Sequence, residues 1–163
     1  MTREEHFMEV ALRLAKEAAQ EGEVPVGAVV VKEDQIISTG RNRREEGKSA
    51  LYHAELEAIQ KACIALGGWR LWQCELFVTL EPCPMCTGAI INARIPTVYF
   101  GASDLKAGSC GSVIDLFSLP YNHQAKVVGG VLEEPCVQVL QEFFQQLREK
   151  KKREKEQKKG TPL

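Results

Sequence analysis

Two short motifs that lie far apart in the chain have to meet in the folded protein, and they constrain the fold more than any other feature. The first contains His53 and Glu55, and the second, Pro-Cys-Pro-Met-Cys with Cys83 and Cys86, begins 27 residues after Glu55. An imidazole and two thiolates are typical ligands of Zn²⁺. A fold that brings them to one metal ion must join the starts of two separate segments.

Three protein ligands leave one position of a tetrahedral zinc ion open. Structural zinc sites usually fill all four positions with Cys and His, whereas catalytic sites keep one position for a water molecule whose pKa the metal lowers towards neutrality. Glu55 is two residues from the ligand His53. Its carboxylate can take the proton of the water and pass it to a substrate ring nitrogen and then to a leaving amine. The pattern indicates hydrolytic deamination.

Local sequence patterns place both motifs at the start of predicted helices. Residues 54–66 carry apolar side chains at helical spacing, and residues 84–93 begin with a proline, which is favoured in a first helical turn. Residues 75–79, just before the cysteines, have the short apolar character of a buried strand. The positive end of a helix dipole favours thiolate over thiol, so this position suits the two cysteines.

Each half of the pattern also has an ordinary explanation. A Cys-x-x-Cys pair can be a redox pair, and the four remaining cysteines could form disulfides or supply a fourth ligand. The His-x-Glu triplet at a helix start, together with a proline directly before Cys83, favours a catalytic zinc. His6 and His123 are isolated, and we assign them no chemistry. The four remaining cysteines are Cys63, Cys74, Cys110 and Cys136.

Length and composition fit one soluble domain. The chain has 163 residues, of which 44% are hydrophobic and 26% charged. We see neither a leader-like start nor an apolar run long enough to span a bilayer, and we expect no membrane association. Six cysteines, two of them explained by a metal, fit the reducing cytoplasm better than a disulfide framework.

The order of predicted elements indicates a three-layer α/β/α domain. A helix over residues 4–20 precedes two strands, at residues 25–31 and 35–38, and the helix after His53 follows. After the cysteine helix we predict a strand at residues 97–100, a Gly-rich loop, a short helical stretch near residues 112–117, a strand around residues 126–128 and a long final helix. Helices alternating with strands favour a sheet covered on both faces.

Charge is concentrated at one end of the chain. Residues 148–159 hold eight Lys or Arg and three Glu, a net charge of +5 that leaves −6 on the rest of a chain of −1. Such a run is either a solvated helix end or an arm that contacts phosphates. We therefore separate a domain of residues 1–148 from a basic tail of residues 149–163 that extends the last helix. An apolar stripe predicts where this helix is anchored: Val137, Leu140, Phe144 and Leu147.

Several longer motifs carry a resemblance to a known family. They are EVPVGAVVV, the turn at residues 40–43, HAE, TLEPCPMCTGAIINARI, VYFGASDLKAGSCGS and the terminal FFQQLR, and they span about residues 3–148. In this set and order the chain resembles the bacterial tRNA-specific adenosine deaminases of the cytidine/deoxycytidylate deaminase superfamily. The resemblance implies a cytidine deaminase-like fold around a mixed five-stranded sheet, one Zn²⁺ per subunit, a homodimer, and conversion of the wobble adenosine of a tRNA anticodon loop to inosine.

The resemblance also implies roles for individual residues. His53, Cys83 and Cys86 match the zinc ligands, and Glu55 matches the proton shuttle. Contacts to the target nucleoside or the surrounding RNA are implied for five further residues: Asn42, Asp104, Lys106, Phe144 and Arg148.

Four points stay open at the level of sequence. Asn42 is also a residue type favoured in turns for its local hydrogen bonds. Tyr52 stands where family members often have a small residue, and Cys110 is an unusual residue in the Gly-rich loop and a conceivable fourth zinc ligand. Two other functions use the same motifs: deamination of a free base or nucleoside such as cytosine or guanine, and a non-enzymatic zinc module that binds RNA.

Overall fold

A computed structural model describes residues 1–160 and consists of five helices around one five-stranded sheet. A single 3₁₀ turn, Leu116–Ser118, lies between the last two strands. The helices are α1 (Arg3–Gln20), α2 (Arg44–Gly47), α3 (Ala54–Leu66), α4 (Pro84–Ala93) and α5 (Glu133–Gly160). The strands are β1 (Gly27–Lys32), β2 (Gln35–Arg41), β3 (Cys74–Leu80), β4 (Thr97–Ala102) and β5 (Lys126–Val128).

The sheet is mixed, with strand order β2-β1-β3-β4-β5. The hairpin of β1 and β2 turns at Glu33 and Asp34, which both adopt the left-handed backbone of a tight turn. β1 also pairs antiparallel with β3, whereas β3, β4 and β5 run parallel. The carboxyl ends of β3 and β4 therefore lie side by side, and the segments that follow them leave the sheet at one edge.

Both faces of the sheet are covered by helices, because β1 has apolar side chains on both of its faces. Ala28 and Val30 face a core formed with α3 and α4, and Val29 and Val31 face a second core formed with α1 and α5. Successive side chains of a strand point to opposite faces, so one apolar strand serves both cores. The predicted three-layer α/β/α architecture is confirmed.

Two local predictions differ from the structure. The helical stretch near residues 112–117 is only the 3₁₀ turn, because Ser112 is bound to the carboxylate of Glu81 and the chain forms a Cys110–Asp115 bridge instead of a helix. The last helix is anchored mainly by Cys136 and Val139, which are fully or almost fully buried, while Val137 and Leu140 of the predicted stripe are partly buried against the same core.

Helix α5 continues far past this anchor. It reaches Gly160, and residues 148–159 are exposed throughout. The predicted tail of residues 149–163 is therefore helical up to residue 160, and residues 161–163 lie outside the described part of the chain. Within residues 1–160, no helix combines the length and the apolar character that crossing a membrane would require.

Candidate active site

The two motifs meet where α3 and α4 begin. His53 is the N-cap residue of α3 and Cys83 is the N-cap residue of α4, with Pro84 as the first helical residue. Neither N-cap side chain makes the usual capping hydrogen bond to its own helix, so both remain available for another partner. Cys86 lies in the first turn of α4 and is fully buried.

The three side chains fit a zinc ion through one nitrogen and two sulfurs. Nδ1 of His53 lies 3.6 Å from Sγ of Cys83 and 3.5 Å from Sγ of Cys86. Tetrahedral zinc with ordinary Zn–N and Zn–S bond lengths separates such ligand atoms by about 3.6 Å. Among residues 1–160, these three are the only His, Cys, Asp or Glu residues whose ligand atoms form a group suited to a metal ion. The fourth tetrahedral position has no protein ligand there.

The charges of the site match a cation at its centre. Hydrogen bonding from the Cys86 thiol, together with His53, lowers the pKa of Cys83 to about 4 despite partial burial. The neighbouring Cys83 and burial raise the pKa of Cys86, because two adjacent thiolates repel each other. A zinc ion held by both sulfurs would remove this conflict, since a coordinating thiol loses its proton outright. The N-termini of α3 and α4 add positive potential on the same side.

Glu55 is in the first turn of α3, and its side chain is only 4% exposed. Burial raises the pKa of this carboxyl to about 7, although its own backbone N–H and His53 favour the ionised form. A carboxyl with a pKa near neutrality can both accept and release a proton at physiological pH. Glu55 lies beside the metal-ligand cluster, as expected of a proton shuttle.

A cavity of about 510 Å³ opens over this cluster. Its floor contains His53, Glu55 and Cys83, and its walls come from the segment after β2, from the loop after β4 and from α5. The volume lies within the range of roughly 300 to 1,000 Å³ found for small-molecule sites. Four of the five residues assigned to substrate contacts line its walls: Asn42, Asp104, Lys106 and Phe144.

Asn42 combines a structural position with a place in the cavity wall. Its Nδ2 donates to the carbonyl of Val24 over 3.1 Å, and its Oδ1 accepts from the backbone N–H of Arg44 over 3.2 Å. These bonds form the turn that an Asn favours. An amide group has four hydrogen-bonding positions, so one N–H and one lone pair remain for a ligand. The turn and the ligand contact are compatible.

The remaining substrate assignments fall into two groups. Asp104 and Lys106 belong to the loop after β4, where the Asp104 carboxylate accepts from the backbone N–H groups of Lys106 and Ala107. Phe144 projects from α5 and is 39% exposed beside the cavity. Arg148 lies one helical turn further along α5, is exposed, and does not line the cavity.

The two unusual residues, Tyr52 and Cys110, both pack against other side chains or backbone of the protein. The Tyr52 ring packs against Gly47, where an added Cβ would lie 2.5 Å from Cδ2 of the ring. Neither residue lines the cavity. Cys110 lies in the core, where burial raises the pKa of its thiol to about 12, and its sulfur contacts the hydroxyl of Thr87 at 3.6 Å. It is not part of the cluster around His53.

Sequence reasoning did not single out Glu81. This residue follows β3, lies two residues before Cys83, and is 2% exposed. Burial by itself favours its neutral form, but hydrogen bonds from Ser112, Asp104 and Cys110 outweigh burial and lower its pKa. Its only signal in the sequence is its place in TLEPC, because the groups that bind it come from 23 to 31 residues further along the chain.

Comparison with protein families identifies this arrangement. Residues 1–102 match the family model of the cytidine and deoxycytidylate deaminase zinc-binding region. The chain belongs to this family of deaminases. The match includes both helix N-termini that carry the metal-ligand cluster. The predicted cytidine deaminase-like fold and the predicted superfamily are thereby confirmed.

Individual relatives of this deaminase are more specific. The tRNA-specific adenosine deaminase of Bacillus subtilis (strain 168) is 49% identical over 153 residues, which are 93% of this chain and 95% of that protein. A solved structure from a study of A-to-I editing by tRNA:A34 deaminases at the wobble position of transfer RNA is 43% identical, with a TM-score of 0.81, and covers 83% of this chain and 99% of its own. A guanine deaminase structure from Bacillus subtilis is 40% identical, with a TM-score of 0.60, over 70% of this chain and 73% of its own.

Proposed function

We propose that this protein is a zinc-dependent tRNA adenosine deaminase that converts the wobble adenosine of an anticodon loop to inosine. The observation that carries the proposal is the three-ligand cluster of His53, Cys83 and Cys86 beside the buried Glu55, at the floor of a cavity. The tRNA deaminase relatives, at 49% and 43% identity over 93% and 83% of this chain, support adenosine in tRNA as the substrate.

In the proposed reaction, adenosine and water give inosine and ammonia. His53, Cys83 and Cys86 would hold the zinc ion, which would supply an activated water for attack on C6 of the purine. Glu55 would accept one proton from that water and deliver it to the adjacent ring nitrogen. It would then take the second proton from the hydroxyl added at C6 and pass it to the amine, which leaves as ammonia while the C6 oxygen becomes the carbonyl of inosine. The Glu55 pKa of about 7 suits both directions of transfer. Four residues of the cavity wall are proposed to hold the nucleoside and its neighbouring nucleotides: Asn42, Asp104, Lys106 and Phe144.

The cavity suits a nucleotide whose base is unstacked from its neighbours in the RNA. A-form RNA hides base edges in a deep and narrow major groove, so an enzyme that acts on C6 needs a nucleotide that can be splayed out. An anticodon loop provides one. Asn42 offers a free amide N–H and lone pair, and Phe144 offers a ring face on which a base can stack. Lys106 and Arg44 supply positive charge for phosphates around the same opening.

A second candidate is deamination of a free purine such as guanine. The similarity to a guanine deaminase favours it, and the zinc chemistry would be the same. The tRNA deaminase relatives match more of this chain at higher identity, which favours the RNA substrate. The two candidates differ in what must occupy the outer part of the cavity, lined by Asp104, Lys106 and Phe144.

A substrate panel separates these candidates. Zinc-loaded protein is incubated with adenosine-containing anticodon stem-loops, with free guanine, cytosine and adenosine, and with stem-loops that carry guanosine in place of the wobble adenosine. Nucleoside mass spectrometry and ammonia release are measured together. We expect inosine from the adenosine stem-loops and far slower reaction of the small molecules. Faster ammonia release from a free base would support the second candidate, and no reaction on any stem-loop would contradict the first.

Three finer statements complete the proposal. We propose one zinc ion per subunit, in line with the single ligand cluster of residues 1–160. We propose a cytoplasmic protein, because all six cysteines are free and tRNA substrates are found there. We propose a homodimer, because large apolar side chains are exposed directly beside the segments that build the site. These side chains are Leu51, Tyr52, Val113 and Ile114.

A further inference from the structure

Glu81 is a buried carboxylate that the proposed chemistry does not use. It lies between the end of β3 and the zinc ligand Cys83, and its side chain points to the loop that follows β4. That loop, residues 103–112, contributes five residues to the cavity wall. The side chain of Glu81, which itself lines the cavity, therefore connects the segment of Cys83 with the loop that forms this part of the wall.

Both carboxylate oxygens of Glu81 are fully used by this loop. Oε1 accepts from the backbone N–H of Asp104 over 3.1 Å and from the hydroxyl of Ser112. Oε2 accepts from the backbone N–H groups of Cys110 and Ser112, over 3.1 Å and 3.0 Å. None of the ion pairs found within residues 1–160 involves Glu81. All four hydrogen bonds to the Glu81 carboxylate come from donors of this loop. The conformation of the loop therefore depends on a side chain that only accepts hydrogen bonds.

The loop backbone packs closely against the Glu81 carboxylate. An added Cβ on Gly108 would lie 2.4 Å from the Glu81 carboxylate and 2.4 Å from the carbonyl oxygen of Asp104. The backbone N–H of Ser109 also donates to the carbonyl of Pro82, over 2.9 Å. The loop is thus tied to the residues next to Cys83 through both the side chain and the main chain.

We propose that Glu81 is a positioning residue for the RNA substrate. By holding the N–H of Asp104, it fixes the part of the loop that carries Asp104 and Lys106 at a set distance from the zinc ligands. This inference rests on the proposed function, in which Asp104 and Lys106 contact the RNA. A loop that is ordered before binding raises affinity because the ordering cost is already met.

The substitution Glu81→Gln gives a directional test. One end of the amide becomes a donor. An NH₂ group at the Oε2 position would face the N–H groups of Cys110 and Ser112, which cannot accept a hydrogen bond. At the Oε1 position the Ser112 hydroxyl can rotate to accept, and only the Asp104 N–H loses its partner. The glutamine should therefore place its NH₂ group towards Asp104. The N–H of Asp104 is released while those of Cys110 and Ser112 stay bound.

The experiment combines amide hydrogen exchange with steady-state kinetics on an anticodon stem-loop, using the zinc-loaded full-length protein. For Glu81→Gln we expect exchange at the Asp104 amide to accelerate about tenfold or more, in line with the loss of one hydrogen bond to a buried charged group. KM for the stem-loop should rise about tenfold, because the competent loop is populated less, with kcat changed by less than about threefold. Zinc content should equal that of the wild type.

Two further variants make the test independent of general destabilisation. Glu75→Gln removes a carboxylate from β3, the strand before Glu81. Glu75 pairs with Arg3 and does not line the cavity, so this variant should leave KM unchanged. Ser112→Ala removes one donor from the loop side and should give a smaller rise in KM than Glu81→Gln. If Glu81→Gln does not fold, Ser112→Ala alone tests the prediction through the exchange of Asp104 and KM.

The outcomes separate this inference from the proposed function. Unchanged exchange at Asp104, unchanged KM, or a fall in kcat at constant KM would each overturn the positioning role. A loss of zinc in Glu81→Gln would also overturn it, because Glu81 would then serve the metal segment. If the wild-type protein deaminates no stem-loop, the proposed function fails instead, and the exchange of Asp104 alone decides whether Glu81 holds the loop.

Discussion

At the scale of single residues, Glu55 is the side chain on which the proposed chemistry depends most. Its carboxyl is buried beside the metal ligands, and burial brings its pKa to about 7. In the proposed reaction, His53 and the two cysteines hold the metal, and Glu55 is the residue that moves the protons. A change at Glu55 should therefore separate metal binding from catalysis.

We expect Glu55→Gln to keep zinc and to lose activity. The amide has nearly the same shape but cannot accept the proton of the water, and general acid-base catalysis contributes about 10²- to 10⁴-fold. The measurement is inosine formation on a stem-loop, together with metal content. Glu57→Gln is the control, since Glu57 is on the same helix and pairs with Arg43 and Lys61 outside the cavity. Activity of Glu55→Gln within tenfold of wild type would contradict the assigned role.

The sequence was sufficient to place His53 and Cys83 at two helix starts, because these positions depend on local rules. His53 and Cys83 are N-cap residues, and a helix start is visible in apolar periodicity and in a proline at its first position. Glu81 could not be predicted in the same way. Its four hydrogen bonds come from a loop of irregular backbone, whose path is set by tertiary packing and not by periodicity.

At the scale of elements, the site depends on how closely α3 lies against β2. An added Cβ on Gly40 would lie 2.2 Å from the carbonyl oxygen of Ala54 and 2.8 Å from the backbone nitrogen of Ala58. The first turn of α3 therefore rests directly on the strand. His53 and Glu55 flank Ala54, so this contact sets their height above the sheet.

We expect Gly40→Ala to weaken both the fold and the zinc site. The methyl group must push α3 outward, and overpacking of this kind costs about 1 to 3 kcal/mol. Chemical denaturation gives the free energy of unfolding, and competition with a zinc indicator gives the affinity. Gly88→Ala is the control, since no atom of residues 1–160 outside α4 lies within 4 Å of its added Cβ. Equal zinc affinity in Gly40→Ala and wild type would show that α3 does not have to rest on Gly40.

The extension of α5 is the second element with a testable role. Leu140 and Phe144 line the cavity, and the same helix continues through the exposed basic residues 148–159. The sequence predicted the helix and its charge. It left open whether the charge only solvates the helix, because that depends on where the helix points relative to the cavity. In the structure, the basic segment begins one helical turn after Phe144.

We expect deletion of residues 150–163 to weaken binding of a tRNA and to flatten its salt dependence. Each phosphate contact that is lost should reduce the slope of log K against log salt by about 0.7 to 0.9. Deletion of residues 160–163 is the control, since it removes no Lys or Arg. Binding is measured by fluorescence anisotropy at several salt concentrations. An unchanged slope would identify the basic segment as a solvated helix end.

At the scale of the whole molecule, the proposed dimer would cover apolar side chains that are exposed on the single chain. Val113 and Ile114 follow the loop residue Ser112, which binds Glu81, and both are exposed. Leu51 and Tyr52 are exposed just before His53. Apolar side chains clustered in the segments next to a site are typical of an interface that lies beside it.

We expect the protein to have a solution mass of twice the 18.2 kDa of one chain. The double variant Val113→Lys with Ile114→Lys should shift it towards the monomer, because two buried charges without partners oppose association. Light scattering after size exclusion measures both. Ile64→Lys, on the exposed side of α3, is the control. A wild-type monomer at micromolar concentration, or a double variant that stays dimeric, would contradict the proposed interface.

The most direct test of the whole account is zinc K-edge X-ray absorption on the purified protein. The central claim is a zinc ion held by three side chains with one position left for water. The predicted shell has two sulfurs at about 2.3 Å and two light atoms at about 2.0 to 2.1 Å, one from His53 and one from solvent. A shell with a third sulfur, or purified protein that binds no zinc, would contradict the account.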